Sequence, residues 1–377
     1  MIQRPFWSDR ILASWEKAPI VWLSGVRRSG KTTLTQQIPD ADYFNCDLPS
    51  VQQRLADPES FFRSLSRGRL ILDEVHQLND PSRTLKIGAD AFPDLRIVAT
   101  GSSTLAATQK FRDSLAGRKR QLHLVPVRYD ELLSFGVKDL RHRLHRGGLP
   151  AALLAVENDP GFYSEWLDSY YARDVQELFR VEKRGGFLRL VQAVLLNSGG
   201  QMKVATLANI SGLSRPTVLG YLDVLEVTHV ARFVRPFSGG GTRELVRQPK
   251  VYGFDTGFVA FAKGWSDLRT EDCGLLWEHL VVEWLGSDPA GLDILYWRDK
   301  DRHEVDFVIP QGRGVVDAIE CKWCSRHFDP EHLHAFRVLH PHGRNWVVAP
   351  DVPEAYTREL DGLSITFTGL KDLRKTP

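Results

Sequence analysis

From residue 19 to about 127, short and uniformly apolar runs alternate with polar stretches of helical character. Ile20-Val21-Trp22-Leu23, Leu70-Ile71-Leu72, Arg96-Ile97-Val98-Ala99 and Leu122-His123-Leu124-Val125 lack sustained polar alternation. That is the pattern of strands covered on both faces, as in a parallel sheet. Residues 32–38 and 58–65 are expected as helices between them. This third of the chain therefore predicts a doubly wound α/β domain, with its ligand at the carboxyl ends of the strands. From about 129 to 196 the pattern turns helical, most clearly over 130–133 and 162–179. Residues 203–255 follow as short helices and then strand-like runs, with Gly239-Gly240-Gly241 as a turn between two of them. After Asp272 comes a helix and then several strands, to near Gly369. The expected units are 1–135, a helical lid or connector over 136–195, and two further domains over 196–268 and 269–377.

Composition changes this picture only a little. The 377-residue chain is 42% hydrophobic and 25% charged, with a net charge of +2, so charge argues neither for nor against a nucleic-acid partner. No apolar run approaches the length of a membrane span, and Met1-Ile2-Gln3-Arg4-Pro5 lacks a signal-peptide core, so no membrane partner is expected. Four cysteines are too few for a disulfide framework, and a reducing, cytoplasmic setting is the expectation. Arg118-Lys119-Arg120 and the stretch around Arg141-His142-Arg143 are local basic clusters. Such clusters are solvated faces unless something else recruits them.

Candidate chemistry is concentrated in the first unit. Gly25-Val26-Arg27-Arg28-Ser29-Gly30-Lys31-Thr32 fits the phosphate-loop pattern G-x-x-x-x-G-K-[ST], directly after an expected strand and before an expected helix. Gly25 and Gly30 let backbone N–H groups turn toward phosphates, and a helix opening at Thr32 and Thr33 adds its partial positive charge. Arg28 and Ser29 complete a loop that would hold ATP, with Lys31 on the β- and γ-phosphates and the Thr32 hydroxyl on Mg²⁺. Leu70-Ile71-Leu72-Asp73-Glu74 is an apolar strand ending in two acids. Asp73 is the candidate for Mg²⁺, and Glu74 for orienting the attacking water. At the end of the third strand, Thr100-Gly101-Ser102-Ser103 offers Ser102 to the γ-phosphate or the water, with an ordinary turn as the other reading. Arg118, just before the next strand, could reach a neighbouring subunit's γ-phosphate. That role needs a homo-oligomer, and a plain surface arginine is the alternative.

These stretches resemble the AAA+-type ATPases of bacteria and archaea that carry a C-terminal domain of unknown function. Val125-Pro126-Val127-Arg128-Tyr129-Asp130-Glu131-Leu132 and Gly147-Gly148-Leu149-Pro150 are similar to that family's later motifs. The resemblance covers nearly the whole chain. It implies a P-loop ATPase core, a small helical lid, a winged-helix segment and a nuclease-like tail.

Residues 206–218 read as helix, glycine turn and helix, with Ser214 as N-cap and Pro216 early in the second helix. Val218, Leu222 and Leu225 share its apolar face. Strands over 230–236 and 250–254 would form a wing, bearing Arg232, Arg235 and Arg243. A DNA-reading helix would expose Arg215 and Thr217, although winged helices also serve as spacers and protein contacts.

In the tail, Trp277-Glu278-His279-Leu280 opens an amphipathic helix, Val305-Asp306-Phe307-Val308 a strand, and Ala318-Ile319-Glu320-Cys321-Lys322 another. Helix-Glu, strand-Asp and strand Glu-x-Lys is the pattern of PD-(D/E)XK nucleases. Alternate strand residues share a face, so Glu320 and Lys322 point together and Cys321 points into the core, which argues against zinc at Cys321 and Cys324. Asp306 and Glu320 could hold Mg²⁺, with Lys322 orienting water or phosphate and Glu278 completing the cluster. The expectation is an ATP- and Mg²⁺-dependent ATPase with DNA as partner, whose nucleotide state controls DNA engagement and Mg-dependent cleavage by the tail. Two rivals stay open: a nucleotide switch acting on a protein partner with an inactive tail, and a winged-helix regulator whose ATP site only sets conformation.

Overall fold

In the first unit three of the four apolar runs are strands that alternate their side chains between two buried faces, whereas the strand expected over 122–125 lies earlier, over Lys119–His123, with Arg120 and Gln121 exposed. The computed structural model describes residues 2–101, 109–176, 181, 183–239, 248–288 and 291–374. β1 (Ile20–Ser24), β2 (Ala41–Asn45), β3 (Arg69–Asp73), β4 (Arg96–Thr100) and β5 (Lys119–His123) form a five-stranded sheet in the order β2-β3-β4-β1-β5, parallel throughout. Ile20, Trp22, Leu70, Leu72 and Ile97 pack on one face, against Phe61, Phe62, Leu85 and Phe111. Val21, Leu23, Ile71 and Val98 pack on the other, against the helix Pro5–Trp15 and Leu34 of the phosphate-loop helix. Both faces are dry, which is why these strands lack polar alternation. β1 lies between β4 and β5, and β3 is one strand further out, so the strand ends of β1, β3 and β4 open on the same edge.

The described residues between 129 and 196 are mainly helical: Leu140–Arg146, Pro150–Leu153, Pro160–Tyr170 and Arg184–Leu196, with a π-helical turn over Tyr171–Gln176. Leu132, Phe135 and Leu153 form a small cluster with Val127, but the longer helices close no core of their own. Leu144, Trp166, Tyr170 and Phe187 share one apolar cluster with Leu225, Phe258, Leu280 and Trp346 from the rest of the chain.

The helix–turn–helix is present as Val204–Ser211 and Arg215–Val227. Gly212 between them sits at φ 68°, a left-handed position that favours glycine. The Ser214 hydroxyl caps the second helix by accepting from the Thr217 amide at 3.3 Å. β6 (Ala231–Pro236) and β7 (Lys250–Gly253) then pair antiparallel. They continue into the last part of the chain, which was expected as a separate domain. β8 (Leu295–Arg298) pairs parallel with β6 through Arg235 opposite Leu295 and Pro236 opposite Tyr296. β9 (Glu304–Gly312), β10 (Val315–Cys321), β11 (Asn345–Val348), β12 (Tyr356–Leu360) and β13 (Leu363–Thr368) complete an eight-stranded mixed sheet, ordered β12-β13-β11-β10-β9-β8-β6-β7. The long helix Thr270–Gly286 covers one face and the helix Glu331–Leu339 the other. Among the described residues, no helix is long and apolar enough to cross a membrane.

Candidate functional site

At the end of β1 the chain turns into the phosphate loop at Gly25, where a residue with a side chain would not fit. A Cβ there would stand 2.6 Å from the Leu124 carbonyl oxygen and 3.1 Å from Ser29 Oγ. Gly30 caps the following helix, Lys31–Thr35, in the left-handed conformation at φ 94°, and Arg28 is also left-handed at φ 59°. The loop is braced from outside by Arg4, which sequence reading overlooked. Buried Arg4 donates to Glu131 Oε1 at 2.8 Å and Oε2 at 2.6 Å, and to the Ser29 carbonyl at 3.2 Å. Lys31 Nζ donates to the Gly25 and Val26 carbonyls at 2.9 and 3.2 Å. Burial lowers its pKa, partly offset by the charges of Glu74, Asp174 and Asp73.

Asp73 is buried at the end of β3 and is the hub of the site. Its Oδ2 accepts from the Thr32 hydroxyl at 2.8 Å and the Tyr43 hydroxyl at 2.7 Å, and its Oδ1 accepts from the Thr100 hydroxyl. The Thr100 hydroxyl in turn accepts from the Glu74 amide at 3.0 Å. Three neighbouring strands and the loop helix are thus locked at one point. Glu74 stands at φ 58°, a left-handed turn that carries its side chain out of the strand direction. Its carboxylate lies 3.2 Å from His76 Nδ1. Burial works against ionisation, but His76 and the Lys31 charge outweigh it and hold the Glu74 carboxyl below its usual value. Burial likewise works against charge on His76, and the Glu74 partner outweighs it, so that imidazole is raised.

Lys31, Thr32, Glu74 and His76 face a cavity of about 550 Å³, bordered also by Arg173 and Asp174 from the π-helical turn. That is the size of small-molecule sites, and π-turns recur where function needs a displaced side chain. Arg28 and Thr33 line it with Ser29, Gly30, Lys31 and Thr32. The hydroxyl of Thr32 with the carboxylate of Asp73 is an all-oxygen pair, the donor type that suits Mg²⁺ completed by phosphate oxygens and water. Asp174 pairs with Arg27 at 3.5 Å. Burial raises its pKa despite the nearby Arg27 and Lys31 charges.

Of the remaining expected residues, Ser102 lies outside the described residues, as do Gly240, Gly241 and Arg243 of the wing. Arg118 precedes β5, at the opposite end of the parallel sheet from the loop. It is held by Asp90 at 2.5 and 3.0 Å, so it serves no role in its own chain's nucleotide site. Arg215 is exposed and Thr217 half-buried, with Thr217 Oγ1 2.8 Å from Ser214 Oγ.

In the tail the structure brings Glu278, Asp306, Glu320 and Lys322 together and adds a residue that the sequence did not announce. Lys250, at the start of β7, is almost wholly buried. Its ammonium lies 3.1 Å from Glu278, 2.6 Å from Glu304 and 4.0 Å from Asp306. Tyr252 donates to Glu278 at 2.5 Å, and Asp306 accepts from the Cys321 amide at 2.7 Å. Lys322 donates to Glu320 Oε2 at 2.7 Å, while the buried Oε1 has no hydrogen-bond partner among the described residues. Burial first, and the Asp306 charge second, raise the Glu320 carboxyl. Among the described residues, no group of three or more His, Cys, Asp or Glu side chains could hold a metal ion. Where Mg²⁺ was expected on Asp306 and Glu320, the Lys250 ammonium stands beside Glu278, Glu304 and Asp306, and Lys322 beside Glu320.

A parallel sheet in the order β2-β3-β4-β1-β5, with a phosphate loop after β1 and an acid pair at the end of β3, is the AAA+-like fold of P-loop nucleotide-binding domains. Residues 17–133 match the family model described as AAA domain, 137–269 a domain of unknown function (DUF8612) and 273–359 another (DUF4143). An uncharacterised protein of Mycobacterium tuberculosis is 29% identical over 328 residues, 82% of this chain and 71% of its own length. One from Methanocaldococcus jannaschii is 22% identical over 324 residues, 76% of this chain and 70% of its own. Among solved structures, the Walker-type ATPase of Pyrococcus abyssi superposes with a TM-score of 0.44 at 14% identity, covering 70% of this chain and 96% of that one.

Proposed function

We propose that this protein is an Mg-ATP-driven switch whose nucleotide state controls how the helix–turn–helix engages DNA. The observation that carries the hydrolytic half is the hydrogen-bond chain Thr32–Asp73–Thr100–Glu74 beside the phosphate loop. In this reading Lys31 leaves the Gly25 and Val26 carbonyls for the β- and γ-phosphates, and the loop amides cradle them. Thr32 and Asp73 would hold Mg²⁺, which neutralises charge developing on the phosphate oxygens. Glu74, kept ionised by His76 and Lys31, orients the attacking water and accepts its proton. Arg118, half-buried and remote from its own site, would act on a neighbouring copy in an oligomer. The DNA half is supported by exposed Arg215 at the start of the second helix, where recognition helices meet base edges. The tail is read as structural, since Lys250 and Lys322 already pair with its acids.

A second reading has an observation of its own. Ile210 is 53% and Leu219 52% exposed on the two helices of the helix–turn–helix, a surface that suits a protein partner. The test is ATP turnover by the purified protein with Mg²⁺, with and without DNA, using Lys31→Ala as control. Stimulation by DNA that is lost in Arg215→Ala supports the first reading. Turnover indifferent to DNA favours a protein partner, and no turnover in the parent protein overturns the hydrolytic reading.

A further inference from the structure

A second cavity, of about 390 Å³, lies between the ATPase domain and the helix–turn–helix module. Of the phosphate-loop residues only Val26 lines it, together with His123 at the end of β5, His229 just after the helix Arg215–Val227, and Arg232 of β6. The His123 and His229 rings lie 3.8 Å apart, centroid to centroid, inclined at 39°. His123 Nδ1 is also 3.3 Å from Ser24 Oγ at the end of β1. The Arg232 guanidinium packs over Gly286, where any Cβ would collide with its nitrogens. Gly286 ends the long helix Thr270–Gly286, so the carbonyl end of that helix steadies the cation.

The charges on these walls are matched, with one conspicuous remainder. Arg235 faces Glu226 at 3.4 Å, and Glu283 is shared by Arg143 at 2.7 Å and His279 at 3.1 Å. Asp293 is exposed at the rim. Arg232 has no hydrogen bond or ion pair among the described residues, although Glu283 and Glu226 are near enough to be felt. Both imidazoles are held toward the neutral form. Burial and then the Arg232 charge take His229 down to about 4, while burial, His229 and Arg232 take His123 well below its usual value. A largely desolvated guanidinium without a partner is costly. Its planar fork matches an oxyanion with two parallel hydrogen bonds, and neutral imidazoles add N–H donors beside it.

We propose that this cavity binds a small phosphate-type oxyanion, held by Arg232 and the His123–His229 pair, and that its occupancy is transmitted to the phosphate loop through Val26. The path is short. The Val26 carbonyl accepts from Lys31 Nζ at 3.2 Å, and His123 directly precedes Leu124, whose carbonyl packs against Gly25. The ligand is free phosphate or a phosphate monoester, and the site is separate from the nucleotide cavity. Binding there requires no DNA partner.

The experiment is calorimetric titration of the full chain, its nucleotide site first saturated with a non-hydrolysable ATP analogue and Mg²⁺. Inorganic phosphate and glycerol phosphate are the two titrants. One equivalent of at least one of them is expected to bind, the tighter titrant naming the source. Arg232→Gln should weaken binding at least about tenfold, with Arg232→Lys intermediate. His229 stands at φ 60°, a conformation asparagine tolerates, so His229→Asn, expected several-fold weaker, serves if Arg232→Gln fails to fold. Absence of binding by either titrant to the parent protein overturns the proposal, as does undiminished binding by a folded Arg232→Gln or, in its place, His229→Asn variant.

Discussion

Lys250→Met removes a cation from the midst of Glu278, Glu304 and Asp306 while keeping most of the volume of the lysine stem. Breaking a buried ion pair from one side costs about 3–5 kcal/mol, because the remaining charge is left uncompensated. Here the loss is softened. Glu278 keeps the Tyr252 hydroxyl at 2.5 Å, Asp306 the Cys321 amide at 2.7 Å, and Glu304 the Arg298 guanidinium at 2.9 Å. Those partners place the expectation at the lower end, about 3 kcal/mol. Urea denaturation followed by tryptophan emission measures it, since Trp297 and Trp346 are buried in the same sheet. With the ammonium gone, the acids should also take up a divalent cation. Millimolar Mg²⁺ is then expected to stabilise the variant and leave the parent unaffected. A loss below about 1 kcal/mol with no Mg²⁺ response in the variant refutes the view that Lys250 is the balancing cation.

Glu74→Gln should retain ATP binding and lower turnover about 100-fold or more, measured as phosphate release beside nucleotide affinity. Arg118→Ala should lower turnover about 10³-fold and leave the melting temperature unchanged. Full activity in a strict monomer would remove that role. The buried His229 gives a pH signature. Its folded pKa of about 4 lies below the usual 6.5, so the unfolded chain binds the extra proton and stability falls as pH drops from 6.5 toward 4. The difference amounts to about 2 kcal/mol at pH 5, and denaturation of His229→Asn across that range should show a flatter slope.

Strands β1, β3 and β4 and the phosphate loop were legible because burial on both faces leaves an uninterrupted apolar run. β2 was not. Ala41–Asn45 is an edge strand, half-buried along its length, so no apolar run marks it, and Tyr43 with its bond to Asp73 went unread. The helix–turn–helix was announced by its glycine turn and serine cap. Pairing of β6 with β8 left no trace, because parallel partners about sixty residues apart share no local signal. Lys250 and Arg4 share one difficulty. A buried cation looks like any other lysine or arginine until its carboxylates are brought in from distant segments. Asp73, Glu74 and Lys31 needed no such help, their spacing being fixed by the loop and the strand ends.

The register of β6 against β8 carries a practical consequence. Family boundaries near residues 269 and 273 cut through a single hydrogen-bonded sheet. A chain truncated there would leave β6 as a raw edge, with the Phe237 amide stripped of the Tyr296 carbonyl it reaches at 2.7 Å, and Lys250 stripped of its acids. Such an edge invites aggregation. The two halves are thus one inheritable plate: swapping either between relatives requires carrying the other, and any tilt of the helix–turn–helix should drag the far strands with it.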